Sequence, residues 1–80
     1  MRPFDLEEYQ KLINNNEEVP LITREYLPVR IVCIDRQHVK YSIIALVMKS
    51  PGFESIKCYT SSGHYEDSKT IHNNDLFFVE

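Results

Sequence analysis

The sequence predicts an α+β fold, mainly β: a small bent antiparallel sheet of five or six strands, tending towards a partly open barrel, with one N-terminal helix. Three observations carry this reading. Residues 5–14 place apolar side chains at helical spacing behind a full set of helix-start signals. From residue 19 onward, short runs rich in β-branched and aromatic residues are separated by Pro, Gly, Asn and Ser. The length, 80 residues, suits one domain spanning 1–80, near the lower end of what a single core can hold.

The helix has unusually complete punctuation. Asp5 is a good N-cap, and Glu8 three residues later completes an Asp variant of the capping box. Phe4 precedes the cap and can pack on Tyr9 as a hydrophobic staple. Glu7 and Glu8 sit where the helix dipole favours negative charge. Leu6, Tyr9, Leu12 and Ile13 form one apolar face. The asparagines at 14–16 end the helix, because Asn favours turns and tolerates the left-handed conformation.

Strands are expected at 19–23, with Pro20 marking a start or edge, and at 28–35 and 41–48. In the second run Val29, Ile31 and Cys33 point one way, and Arg30, Val32 and Ile34 the other. The run at 41–48 is apolar on both faces. Two adjacent strands without a polar face need a cover on the second side, and the helix is the expected cover. Pro51–Gly52 fits positions i+1 and i+2 of a type II turn. A strand at 55–60 follows, with Ile56 and Cys58 read as core-facing and Lys57 and Tyr59 as solvent-facing. Ser61, Ser62 and Gly63 fit a three-residue hairpin turn with a left-handed glycine, which sets Tyr59 opposite Tyr65 in a short return strand. A polar stretch at 66–74 leads to a closing strand at 76–79, whose edge leaves both a monomer and an edge-paired homodimer open.

Several of these pieces share an order and spacing: Pro3–Glu7 (PFDLE), Thr23–Arg24, Pro28 to Asp35 with Arg30, Ile31 and Cys33, Tyr41 to Val47, Tyr59 to Tyr65, and Asp75–Phe77. Together they resemble a family of small uncharacterised proteins found in bacteriophage and gut-bacterial genomes. The resemblance implies a phage or mobile-element origin and brings no activity, cofactor or site residue with it. The chain departs from it after Thr23–Arg24, where Glu25-Tyr26-Leu27 stands in place of a tight Asp-Gly turn. Without that glycine a two-residue hairpin is disfavoured, and a longer or differently shaped loop is expected.

Charge and motifs narrow the function classes. The net charge is −3, distributed as −3 over residues 1–25, +3 over 26–57 and −3 over 58–80. That balance gives no general reason to expect nucleic acid or an anionic membrane as partner. The N-terminus lacks the apolar stretch of a signal peptide, and no run approaches membrane-spanning length, so a cytoplasmic protein with no membrane partner is expected. Cys33 and Cys58 are then expected as reduced thiols. Cys58 and His64 fall on one face of the predicted hairpin as diagonal neighbours at about 7–8 Å, too far for a thiol–imidazole pair. The cysteines and His38, His64 and His72 follow no metal-ligand spacing, and no phosphate-binding or dinucleotide motif is present. The expectation is a protein that is not an enzyme, with no catalytic residue, metal or cofactor.

What remains is a surface. Arg30, Lys57, Tyr59, Tyr65 and Tyr41 form the candidate binding surface, basic side chains interleaved with aromatics on a small sheet. Two functions suit it: docking of an unidentified protein partner, since Tyr and Arg anchor interfaces, or weak binding of single-stranded nucleic acid by stacking and phosphate contacts. The structural alternative packs the same tyrosines against the helix or a loop, exposing only their hydroxyls.

Overall fold

In the computed structural model, which describes residues 1–65 and 71–79, the helix-start signals act as their chemistry predicts. The Asp5 carboxylate accepts the Glu8 backbone N–H at 3.0 Å and caps helix α1, Leu6–Asn14. Phe4 is buried and its ring lies 5.7 Å from that of Tyr9, the staple. Asn16, at φ 60°, takes the left-handed conformation just past the helix end. Leu6, Tyr9 and Leu12 pack on the core, whereas Ile13, expected on the same face, is exposed.

Six strands form one antiparallel sheet curled into a half-barrel: β1 (Arg2–Pro3), β2 (Leu21–Thr23), β3 (Pro28–Cys33), β4 (Ile43–Ser50), β5 (Phe53–Tyr59) and β6 (Leu76–Phe78), in the order β1-β6-β2-β3-β4-β5. Register breaks between Ile31 and Cys33 and between Met48 and Ser50 help the sheet bend. No helix among the described residues is long and apolar enough to cross a membrane.

The concave face carries the core: Leu21, Ile43, Ala45, Tyr59, Leu76 and Phe78, closed by Phe4 and flanked by α1. This corrects the expected role of the helix. It lies on the core face of the sheet and does not cover the second side of β3 and β4. The closing strand also differs from expectation. β6 is not an edge; it is inserted between β1 and β2, with Phe78 opposite both Arg2 and Leu21. β1 had no counterpart in the sequence reading.

Three of the turns follow their sequence chemistry. Gly52, at φ 80°, supplies the positive φ of the turn between β4 and β5. Between β2 and β3 the chain uses the longer loop expected there, with Tyr26 at φ 66° and the Thr23 hydroxyl accepting the backbone N–H groups of Glu25 and Leu27. After β5, the Gly63 N–H donates to the Thr60 carbonyl and the Thr60 N–H to that of His64. Tyr59 and Tyr65 pair as anticipated, though as an isolated bridge instead of a strand. The segment 66–70, most of the polar stretch, lies outside the described residues.

Candidate functional site

The register of β5 decides which side chains can meet a partner. Tyr59 pairs with Ile43, Lys57 with Ala45 and Ser55 with Val47, so these point to the core face. Cys58, Ile56 and Glu54 pair with Ile44, Leu46 and Met48 and point outward. The two faces are therefore reversed from the sequence reading. Tyr59 is 0% exposed and Ile56 is 69% exposed. The larger, aromatic side chain takes the core position, and the small Ala45 opposite Lys57 leaves room for the lysine stem to run outward, its ammonium 5.6 Å from the Tyr65 ring.

This disperses the five residues of the expected binding surface. Tyr59 and Tyr41 are core residues, 0% and 6% exposed. Tyr65 is half-buried, edge-on to Tyr59 and 4.6 Å from the ring of His72. Lys57 joins that cluster on the concave side. Arg30 lies on the opposite face, where both Glu54 carboxylate oxygens accept from it at 2.7 and 2.8 Å. The hydrogen bond and charge of each hold the Glu54 carboxyl below, and the Arg30 guanidinium above, their ordinary ranges. No continuous stacking platform results, because the aromatic rings are packed inward.

The imidazoles of His38 and His72 are turn acceptors. His38 Nδ1 accepts the backbone N–H groups of Lys40 and Tyr41, and His72 Nδ1 accepts that of Asn74. Asp75 is buried and accepts from the backbone N–H groups of Tyr65 and His72 and from Arg24 Nη2, binding the loop before β6 to the sheet. Burial pushes its carboxyl up, but these three donors outweigh it and hold the group below the usual range. Among the described residues no three His, Cys, Asp or Glu side chains converge as a metal site would require. Cys33 and Cys58 flank Ile44 on one rung, two strands apart. At about 9–10 Å they exceed the roughly 7 Å Cα separation a disulfide can span. A cleft of about 250 Å³ opens beside the end of α1, but Arg2, paired with Glu8, already lies 4.6 Å over its Phe78 floor.

The feature not anticipated is the convex outer face of β3, β4 and β5. Val32, Ile44, Leu46, Met48 and Ile56 share it, and among the described residues no second layer lies over them. Ile56 and Val32, at 69% and 59% exposed, stand out from it. The signal was present in the sequence, as the apolar second side of residues 28–35 and 41–48, but was assigned to the helix. Glu54 sits at one end and is reached by Arg30 from the rung that Arg30 shares with Leu46 and Ile56. At the other end Arg36 Nη1 donates to the Cys58 thiol at 3.0 Å. Comparison with protein families, with curated proteins and with solved structures finds no match.

Proposed function

We propose that this chain is a non-enzymatic protein-binding module of phage or mobile-element origin, acting in the cytoplasm, and that it binds through the outer face of β3–β5. The observation that carries the reading is the cluster of exposed branched side chains, Ile56 and Val32 above all, on the uncovered side of the three longest strands. Exposed contiguous apolar surface costs solubility, and on small proteins it commonly marks an interaction site. The Arg30–Glu54 ion pair crosses the same face, with Arg30 on the rung of Leu46 and Ile56, and gives it a polar contact such as protein interfaces carry. The family resemblance supports the origin, and the use of His38, His72 and Asp75 in turns and loops supports the absence of catalysis.

The test is site-specific photocrosslinking in bacterial cells, with a benzophenone amino acid at Ile56 or, on the helix, at Ile13. A discrete adduct at Ile56 that is absent at Ile13 and lost on Leu46→Asp is expected. No adduct at Ile56, or equal adducts at both positions, overturns the reading. Salt-sensitive binding of labelled single-stranded DNA or RNA, unaffected by Leu46→Asp, replaces it with a nucleic-acid module.

A further inference from the structure

The outer face of β3–β5 carries one charge that the chain itself does not balance. Arg30 shares a rung with Leu46 and Ile56, and its guanidinium runs to Glu54, whose carboxylate accepts two hydrogen bonds from it. Those two charges cancel. At the other end Arg36 has, among the described residues, only the Cys58 thiol as hydrogen-bond partner. A thiol is a weak acceptor, and a guanidinium presents a rigid fork of donors that fits a carboxylate. Among the described residues the face is therefore net basic, and Arg36 retains donor capacity for an anion beside an apolar surface. The surrounding charge has the same sign. Residues 26–57, which supply almost all of β3, β4 and β5, carry five bases against two acids, whereas the segments on either side are each −3.

The shape of the face selects the form of its occupant. Side chains alone make up this surface, so an occupant finds no backbone partner there and must satisfy its own backbone hydrogen bonds internally. From β3 to β5 is two inter-strand spacings, about 10 Å, close to the diameter of one α-helix. We infer that the outer face binds an acidic amphipathic α-helix of a partner protein, with the helix's aliphatic stripe over Val32, Leu46 and Ile56 and one of its carboxylates on Arg36. This rests on the reading of that face as the binding surface and names the partner's chemistry. A second copy of the chain is a poor source of such a helix. Among the described residues α1 is the single helix, and its Leu6, Tyr9 and Leu12 are packed in its own core. A polyanion is a poorer fit as well. One unpaired guanidinium releases few counterions, and Val32 and Ile56, the most exposed side chains of the face, offer a base nothing to stack on.

Three synthetic peptides test this inference, each of about 14 residues, or about 21 Å of helix, with the same leucine stripe and with Glu, Gln or Lys at the flanking positions. Fluorescence anisotropy reads their binding to the full chain at low and high salt. The Glu peptide is expected to bind about tenfold more tightly than the Lys peptide, with Gln between them and the difference shrinking at high salt. Arg36→Glu is expected to reverse that order and Arg36→Gln to remove it. Glu54→Gln, which releases Arg30, is expected to steepen it. Ile56→Asp should weaken all three peptides with an unchanged thermal melt, since the residue is exposed. Ile13→Lys, on the helix, should change nothing. Equal binding of the three peptides, tighter binding of the Lys peptide, or no binding of any overturns the inference. An order indifferent to both Arg36 variants does the same. Tighter binding to phosphatidylglycerol vesicles or to single-stranded DNA than to the Glu peptide, lost in Ile56→Asp, replaces the helix with that ligand. The two readings fail separately. An Ile56 photoadduct with a cellular protein, alongside equal binding of the three peptides, removes the acidic helix and keeps the docking face. Absence of any Ile56 adduct removes the face itself.

Discussion

A Cβ placed on Gly63 would lie 2.8 Å from the Cβ of Phe4, inside any tolerable contact distance, and 3.2 Å from the Cβ and carbonyl oxygen of Leu76. The turn after β5 is clamped between the start of α1, whose Leu6 N–H donates to the Ser61 carbonyl, and β6, whose Leu76 N–H donates to that of Gly63. Gly63 also has φ +82°. Gly63→Ala is therefore expected to cost about 2–4 kcal/mol, the sum of the left-handed backbone and the overlap. Gly52→Ala is the control, since it has the same sign of φ and open space around it. It is expected to cost only about 1 kcal/mol. Urea unfolding of the two variants measures the difference, and equal costs would refute the clamp.

Asp75 gives the fold an acid limit. Its carboxyl is held below the ordinary range when folded, so the folded chain binds that proton more weakly than the unfolded chain. Its contribution is fully present above about pH 4, the unfolded value. As pH falls through the lower folded value, the contribution is lost. Melting temperature is expected to drop steeply below about pH 4, and Asp75→Asn to flatten part of that slope. At pH 7 the same substitution is expected to cost about 1–3 kcal/mol, because three donors lose a charged acceptor.

Tyr59 has the opposite pH dependence. Its hydroxyl is buried and, among the described residues, has no hydrogen-bond partner. Burial first, then the neighbouring Tyr65, Asp75 and Cys58, push its ionisation up. The neutral phenol is therefore favoured by folding, a contribution present below about pH 10 and lost above it. Tyr59→Phe is expected to be neutral or stabilising by about 1 kcal/mol at pH 7. It should also reduce the alkaline loss of stability, read from melts between pH 8 and roughly pH 11. A clear destabilisation at pH 7 would mean that the hydroxyl has a partner after all.

Tyr26 is exposed and held at φ 66° in the loop between β2 and β3, a conformation unfavourable for a residue with a Cβ. Tyr26→Gly is expected to raise stability by about 0.5–1 kcal/mol, relief of that strain being partly offset by the flexibility glycine adds to the unfolded chain. Thermal unfolding is the measurement, and a lower melting temperature would show that the tyrosine ring contributes more than its backbone costs.

Local chemistry was legible in the sequence and long-range choice was not. The cap at Asp5, the Phe4–Tyr9 staple, the Asn16 terminator and the Gly52 and Gly63 turns each depend on residues a few positions apart. The alternation in β5 was equally plain, but alternation defines two faces without saying which is inside. That was decided by partners in β4: Ile43 opposite Tyr59 and Ala45 opposite Lys57. The reversal moved the candidate site from the tyrosines to Ile56 and Leu46. The pairing of Arg2–Pro3 with β6 joins residues more than seventy positions apart, and a two-residue strand has no periodicity to read. The apolar second side of β3 and β4 was visible from the start. A single helix of nine residues can cover only one side of a sheet, and the core claimed it.

The insertion of β6 between β1 and β2 also dictates an order of assembly. Residues 21–59 can pair as a meander of neighbours, because β2, β3, β4 and β5 join in chain order. The space beside β2 stays empty until Leu76–Phe78 docks there, and until then β1 lacks the strand it pairs with. For that interval the meander presents apolar surface on both sides, the concave side awaiting Phe78 and Leu76 and the convex side carrying Ile56 and Val32. Such an intermediate is prone to aggregate, and a substitution that weakens the docking of β6 would lengthen its exposure.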